Sequence, residues 1–257
     1  MERKELVPYD ESGGMSASYG EVQPSSFVTR ITFNWQLKCF AIGKAEDGRI
    51  EREITFEPIF RYSGIKRNFE NDYGTENARP TCYSLDGKNG SVPQISRLLA
   101  DGREHIVYGE CRNCRFGTWS SRNLWKPPGS GWDPKANKAK NCGTYTLILS
   151  KFQNEVMMIQ VPSTGVESVN QGIESLATAK GKRFEECRWQ LLGTGGGFQS
   201  KYMKIIPVGF LTSEEQEELH NLRMMYKQSF EDSVYTFAQG GVEDETVNTN
   251  GGQVVDA

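Results

Sequence analysis

Apolar and polar positions divide the chain into two strand-rich stretches separated by a long polar one. "VTRITFNWQLKCFAI", Val28 to Ile42, is rich in β-branched and aromatic residues in partial alternation and predicts a strand. "EDGR" follows as a turn, and "IEREITFEPIFRYSG", Ile50 to Gly64, predicts a second strand, so the pair suggests a hairpin. Strands resume at Thr144 to Ser150 and at Glu155 to Pro162. A helix is then predicted from Ser163, with Val166, Val169, Ile173 and Leu176 at helical spacing and Ser163 or Thr164 as its cap. "FEECRWQLLGTGGGFQSKYMKIIPVGFL" predicts two strands around a Gly-rich loop. "TSEEQEELHNLRMMYKQSF" predicts a last helix, capped by Thr212 or Ser213, acidic early and basic late. This order predicts a mainly β fold with α additions: an OB-fold-like small antiparallel barrel with an insertion and a C-terminal helix.

The ends read differently. Residues 1–27 are polar and rich in Gly and Ser, which predicts a flexible arm; 28–232 form the domain; 233–257 read as a disordered acidic tail. No Lys or Arg follows Lys227, while Glu231, Asp232, Glu243, Asp244, Glu245 and Asp256 do. The net charge of −3 therefore becomes +3 without those six, and the body is mildly basic. No run is apolar enough to span a bilayer and the N-terminus has no signal core, so a reducing cytoplasm and no membrane are expected.

Residues 64–142 hold four of the six cysteines in a polar, Gly-, Asn-, Pro- and Lys-rich stretch, too long to stay structureless inside a compact domain. "GECRNCRFGTW" gives a C-x-x-C pair, Cys111 and Cys114, which one tight turn can deliver to a tetrahedral metal. Cys142 in "AKNCGTY" and Cys82 in "RPTCYSLDG" complete the preferred zinc set, with Asp86-Gly87 suited to a ligand loop. His105 competes with Cys82 as the fourth ligand. A redox dithiol uses the same C-x-x-C spacing, but it sits in a βαβ pattern that is missing here. Four thiolates would close the metal's coordination, making the zinc structural. Cys39 and Cys187 lie in strand patterns as inert buried thiols, and His220 reads as a surface residue.

Between Cys111 and Cys142 stand Arg112, Arg115, Arg122, Lys126, Lys135, Lys138 and Lys140, opposed only by Asp133. Among them lie Phe116, Trp119, Trp125 and Trp132. Cations neutralise phosphates and rings stack on unpaired bases, so this mixture points to single-stranded nucleic acid. Trp35, Lys38 and Arg61 on the first two strands could extend the surface. The competing account makes the tryptophans a mini-core around the knuckle. "LLGTGGGFQSK" fails as a phosphate loop because it lacks G-x-x-x-x-G-K-[ST] and sits between strands. Two distant histidines leave no Ser-His-Asp or Cys-His arrangement, so no enzyme is predicted.

"CYSLDG", "GECRNCRFGTW" and "AKNCGTYTLIL", in that order, resemble a family of bacteriophage single-stranded-DNA-binding proteins with a zinc-knuckle OB-fold. "VPSTGVESVNQGIESLA" is similar to that family's strand-to-helix segment and "LTSEEQEELHNLR" to its closing helix. The resemblance spans about residues 28–230 and departs at "LWKPPGSGWDPKANKAKN", where the familiar members have a compact Gly-Lys-rich run. It implies structural zinc on Cys82, Cys111, Cys114 and Cys142 and a role in DNA replication or recombination in the cytoplasm of an infected bacterium. The acidic tail would compete with DNA for the basic groove or dock replication and recombination proteins. A different class remains open: a zinc-ribbon interaction module of a replication or transcription complex.

Overall fold

The computed structural model describes residues 29–34, 37–43, 48–68, 80–98, 104–117, 142–194 and 203–240. The strands are β1 (Thr29–Asn34), β2 (Cys39–Ile42), β3 (Arg49–Glu51), β4 (Glu53–Asn68), β5 (Cys82–Ser84), β6 (Ile95–Leu98), β7 (Glu104–Val107), β8 (Cys142–Phe152), β9 (Glu155–Val161), β10 (Cys187–Gly193) and β11 (Met203–Phe210). The helices are α1 (Ser163–Lys180) and α2 (Ser213–Gln239).

The fold is mainly β, as its pattern predicts. Nine strands form one curled sheet in the order β11-β10-β4-β8-β9-β1-β2-β3, with β5 added beside β4, and β6 and β7 pair separately. The sheet is mixed rather than wholly antiparallel, because β1 runs parallel to β9, Ile31 opposite Ile159. The predicted strand Val28 to Ile42 is two strands folded back on each other, Phe33 opposite Phe40. The predicted hairpin around "EDGR" is β2 against β3, and β4 departs to the middle of the sheet. Two bulges bend β4, one beside Pro58 and one at Gly64.

β8 is buried continuously from Tyr145 to Ser150 because each face of the sheet has its own core. On one face Ile148, Ile159, Phe56, Trp189 and Ile205 pack with α1 through Val166, Val169, Ile173 and Leu176. On the other, Leu147, Leu149, Met158 and Ile65 pack with α2 through Leu219, Phe230, Val234 and Phe237. The helical spacing read from the sequence thus marks the buried stripe of α1. Its cap differs: Pro162, extended at φ −72°, is the N-cap, and no side chain caps the helix. Pro162 brings β9 straight into the first turn, where its missing N–H costs nothing.

α2 begins as predicted, with Thr212 and Glu215 forming a reciprocal capping box. It ends later. The helix continues through Val234, Phe237 and Ala238 to a left-handed cap at Gly240, so residues 233–239 belong to the folded domain and not to the tail. The reason is packing: Phe237 is buried against Tyr145, ring centroids 5.4 Å apart, and the Arg67 guanidinium lies 4.4 Å from its centroid. Among the described residues, no helix is long and apolar enough to cross a membrane.

Candidate functional site

The end of β4 builds the site. Asn68 is in register with Cys82 on β5 and with Cys142 on β8. Residues in register across neighbouring strands present their side chains to one face. Cys82, Asn68 and Cys142 therefore form a row, and the row lines one small cavity together with Cys111 and Cys114. That cavity has a volume of about 20 Å³, room for a single water-sized or ion-sized occupant. The structure thus brings all four preferred cysteines to one place from a sequence span of sixty residues.

Two turns hold the row and the C-x-x-C segment together. After Cys82 the chain turns at Asp86-Gly87, as expected of a ligand loop. Asp86 Oδ1 accepts from the Lys88 and Asn89 backbone N–H groups at 2.7 and 2.8 Å and from the Ser84 hydroxyl at 2.9 Å. These donors, the Asn89 backbone first, hold its carboxyl well below the usual carboxylate range. Gly87 has φ +70°, and a Cβ there would stand 2.9 Å from the Gly64 carbonyl oxygen, so the turn lies directly over the second β4 bulge. The turn then docks on the cysteine pair: Gly90 N–H donates to Gly109 O at 2.6 Å and Cys111 N–H to Lys88 O at 2.7 Å.

Donors stand beside two of the sulfurs. Tyr108 N–H points at Cys114 Sγ, 3.4 Å away, and Gly117 N–H closes the turn on the Cys114 carbonyl oxygen at 3.1 Å. The Ser91 hydroxyl lies 3.9 Å from Cys82 Sγ. Burial pushes the Cys111, Cys114 and Cys142 thiols up. For Cys142, burial acts first and the Cys114, Cys111 and Cys82 sulfurs add to it, raising the thiol to about 12, while Lys66 opposes them. Thiolates lining one cavity repel one another unless a cation joins them, and the Tyr108 N–H aimed at Cys114 Sγ favours the thiolate form. The donor set therefore suits a soft divalent metal. Among the described residues, however, no three Cys, His, Asp or Glu groups stand disposed to hold a metal as they are, so the sulfurs would have to draw inward onto it. His105 lies on β7, in register with Arg97 of β6.

The basic and aromatic residues divide. Lys38 is exposed in the β1–β2 turn at φ +55°. Arg61 is exposed on β4, its Nη1 3.4 Å from Asn170 Oδ1 and its guanidinium 5.6 Å from the Phe184 ring centroid. Arg112 is exposed between the two knuckle cysteines. Arg115 stands in a single 3-10 turn with Phe116 and Gly117. Phe116 is a correction: it is fully buried, tilted against Tyr108 with centroids 5.5 Å apart, and packed with Val92 and the cysteines. An enclosed ring has no face for a base, so Phe116 forms a mini-core beside the cysteines. Trp35, Trp119, Arg122, Trp125, Lys126, Trp132, Lys135, Lys138 and Lys140 lie outside the described residues.

The sequence pointed to Asp86-Gly87 as a ligand-loop turn but not to Ser84, which donates to Asp86, or to Tyr108, whose N–H faces Cys114. The S-x-D-G spacing after Cys82 was the available signal, because Asp followed by Gly is a turn that ties its own backbone. Cys39 and Cys187 are buried apart from the site and His220 is exposed, as expected. No protein-family model matches the chain, and no curated protein and no solved structure matches it either.

Proposed function

We propose that this chain is a non-enzymatic single-stranded-DNA-binding protein of the bacteriophage type, serving replication or recombination, with an OB-fold-like barrel and a structural zinc. The observation that carries the reading is the convergence of Cys82, Cys111, Cys114 and Cys142 on one cavity at the root of the basic, tryptophan-rich insertion. Zinc on these thiolates would supply no reaction; it would fix both ends of residues 69–141 to the end of β4. The insertion's cations would neutralise phosphates and its tryptophans would stack on bases, without reading sequence. Lys38 and Arg61 on the body and Arg112 in the insertion are exposed, which supports further cationic contacts with a strand. The acidic residues beyond Gly240 would compete for the same cations and offer a dock to replication partners.

The test is tryptophan fluorescence during titration with an oligo-thymidine strand, beside a duplex of equal length, at low and moderate salt. Quenching by the single strand alone, weakening as salt rises, is the expected result. Absence of binding at low salt overturns the reading and favours the zinc-ribbon interaction module, which predicts a stable protein complex instead.

A further inference from the structure

The edge of the sheet farthest from β3 carries an arrangement that the reading above does not use. β11 pairs only with β10 along the main sheet, and the pairing shifts register between Arg188 and Trp189. Pro207 lies opposite Trp189, yet Phe210 lies opposite Cys187. Trp189 and Cys187 both face the core beneath α1, so the bulge adds one residue to β11 and turns Phe210 onto the α1 face. There Phe210 does not join the core but stands 50% exposed.

The end of α1 meets it. Gly181, in the left-handed conformation at φ +61°, reverses the chain so that residues on both sides of it reach one ring. The Lys180 and Lys182 ammonium groups lie 5.5 and 5.7 Å from the Phe210 ring centroid. Arg183 follows, and its neighbours Glu185 and Glu186 are the opposing carboxylates; Glu186 is engaged with the Arg183 backbone N–H at 2.7 Å. Arg61 reaches the same segment from the other side, over the Phe184 ring.

We infer that Phe210, Lys180 and Lys182 form a nucleotide-contacting site, in which a base of single-stranded nucleic acid lies on the Phe210 ring and its phosphates take the two ammonium groups. The inference rests on the single-strand-binding reading. An exposed ammonium–ring contact is weaker than stacking of a base on an aromatic side chain, so the exchange favours the base while the lysines move to the phosphates. A half-exposed ring beside paired cations fits an aromatic anion. An acidic peptide would use the cations and leave the ring without a purpose. With Arg61 the site makes a strip running from β4 to the β11 edge.

The experiment compares the full chain with Phe210→Ala and with the double variant Lys180→Ala/Lys182→Ala, measuring affinity for a labelled twenty-nucleotide oligo-thymidine over a salt series. Phe210→Ala is expected to weaken binding about fivefold or more with little change in salt dependence. The double variant is expected to flatten the salt dependence by roughly 0.7 per lost phosphate contact. A 5-iodouridine strand should also crosslink at Phe210. Wild-type binding with both variants unchanged and no crosslink would overturn this site alone. A wild-type chain that binds no strand would overturn the single-strand reading itself. Displacement of the strand from this edge by a poly-glutamate peptide of equal charge, with the Phe210 variant displaced equally, would reassign the patch to acidic peptides.

Discussion

Gly193 of β10 faces the carbonyl oxygen of Lys38 so closely that a Cβ on Gly193 would stand 2.1 Å from it. β10 and the β1–β2 turn belong to opposite halves of the sheet order, so this approach is where the curl brings distant strands together. Gly193 N–H also donates to Arg52 O at 3.0 Å, which fixes the strand there. The atom in the way is backbone and cannot swing aside. Gly193→Ala should therefore destabilise the domain by upwards of about 2 kcal/mol. Thermal unfolding should show a fall of at least about 4 °C; an unchanged midpoint would mean the two halves do not touch.

Metal content tests the knuckle directly. Purified protein should hold one zinc per chain by elemental analysis. Ser in place of Cys82, Cys111, Cys114 or Cys142 should remove most of it, whereas His105→Ala should retain it. Retention in Cys82→Ser with loss in His105→Ala would exchange those two residues as fourth ligand.

Phe116 and the tryptophans should part company. Phe116→Ala would open the small core with Tyr108 and Val92, costing about 3–5 kcal/mol in that subdomain. It should therefore lower zinc retention on challenge with a chelator. Trp119→Ala or Trp125→Ala should weaken strand binding and leave zinc retention alone. Equal zinc loss in all three would place the tryptophans in the mini-core instead.

The Asp86 turn gives a pH signature. Its folded carboxyl titrates below the unfolded value of about 4, so its contribution is present above that value and is lost as pH falls through the lower folded one. Amide exchange at Lys88 and Asn89 should stay slow from neutral pH down to about 4 and quicken only in stronger acid. Asp86→Ala should quicken it at every pH.

Truncation separates fold from tail. Removing residues 241–257 should leave the unfolding midpoint in place and tighten strand binding at low salt. Removing residues from 233 onward takes Val234, Phe237 and Ala238 from the core and should cost about 3 kcal/mol or more. A tail-deleted chain with unchanged affinity would remove the competition idea.

The observed elements show where the sequence was legible. Apolar runs located β8 and β9, which are buried on both faces, and regular stripes located α1, β10, β11 and α2. The C-x-x-C turn and the Asp-Gly turn marked where the four cysteines meet because both are local chemistry. The parallel pairing of β1 with β9 was not legible, since register between distant strands leaves no local mark. Phe116 and the trio Val234, Phe237 and Ala238 misled for a related reason. An aromatic beside arginines and an apolar residue beside acids look exposed until a partner covers them, Tyr108 across the cysteine turn for Phe116 and the distant Tyr145 for Phe237.

The closing helix finishes against the knuckle's own strand: Gln239 Nε2 donates to the Tyr83 hydroxyl at 3.1 Å, one residue from Cys82. The folded body thus hands over to its acidic extension beside the cysteine cluster rather than at a remote pole. A dye attached just beyond the Gly240 cap, at position 241, would act as a built-in gauge. Energy transfer from it to a labelled strand would report occupancy of the insertion without touching any residue proposed to bind.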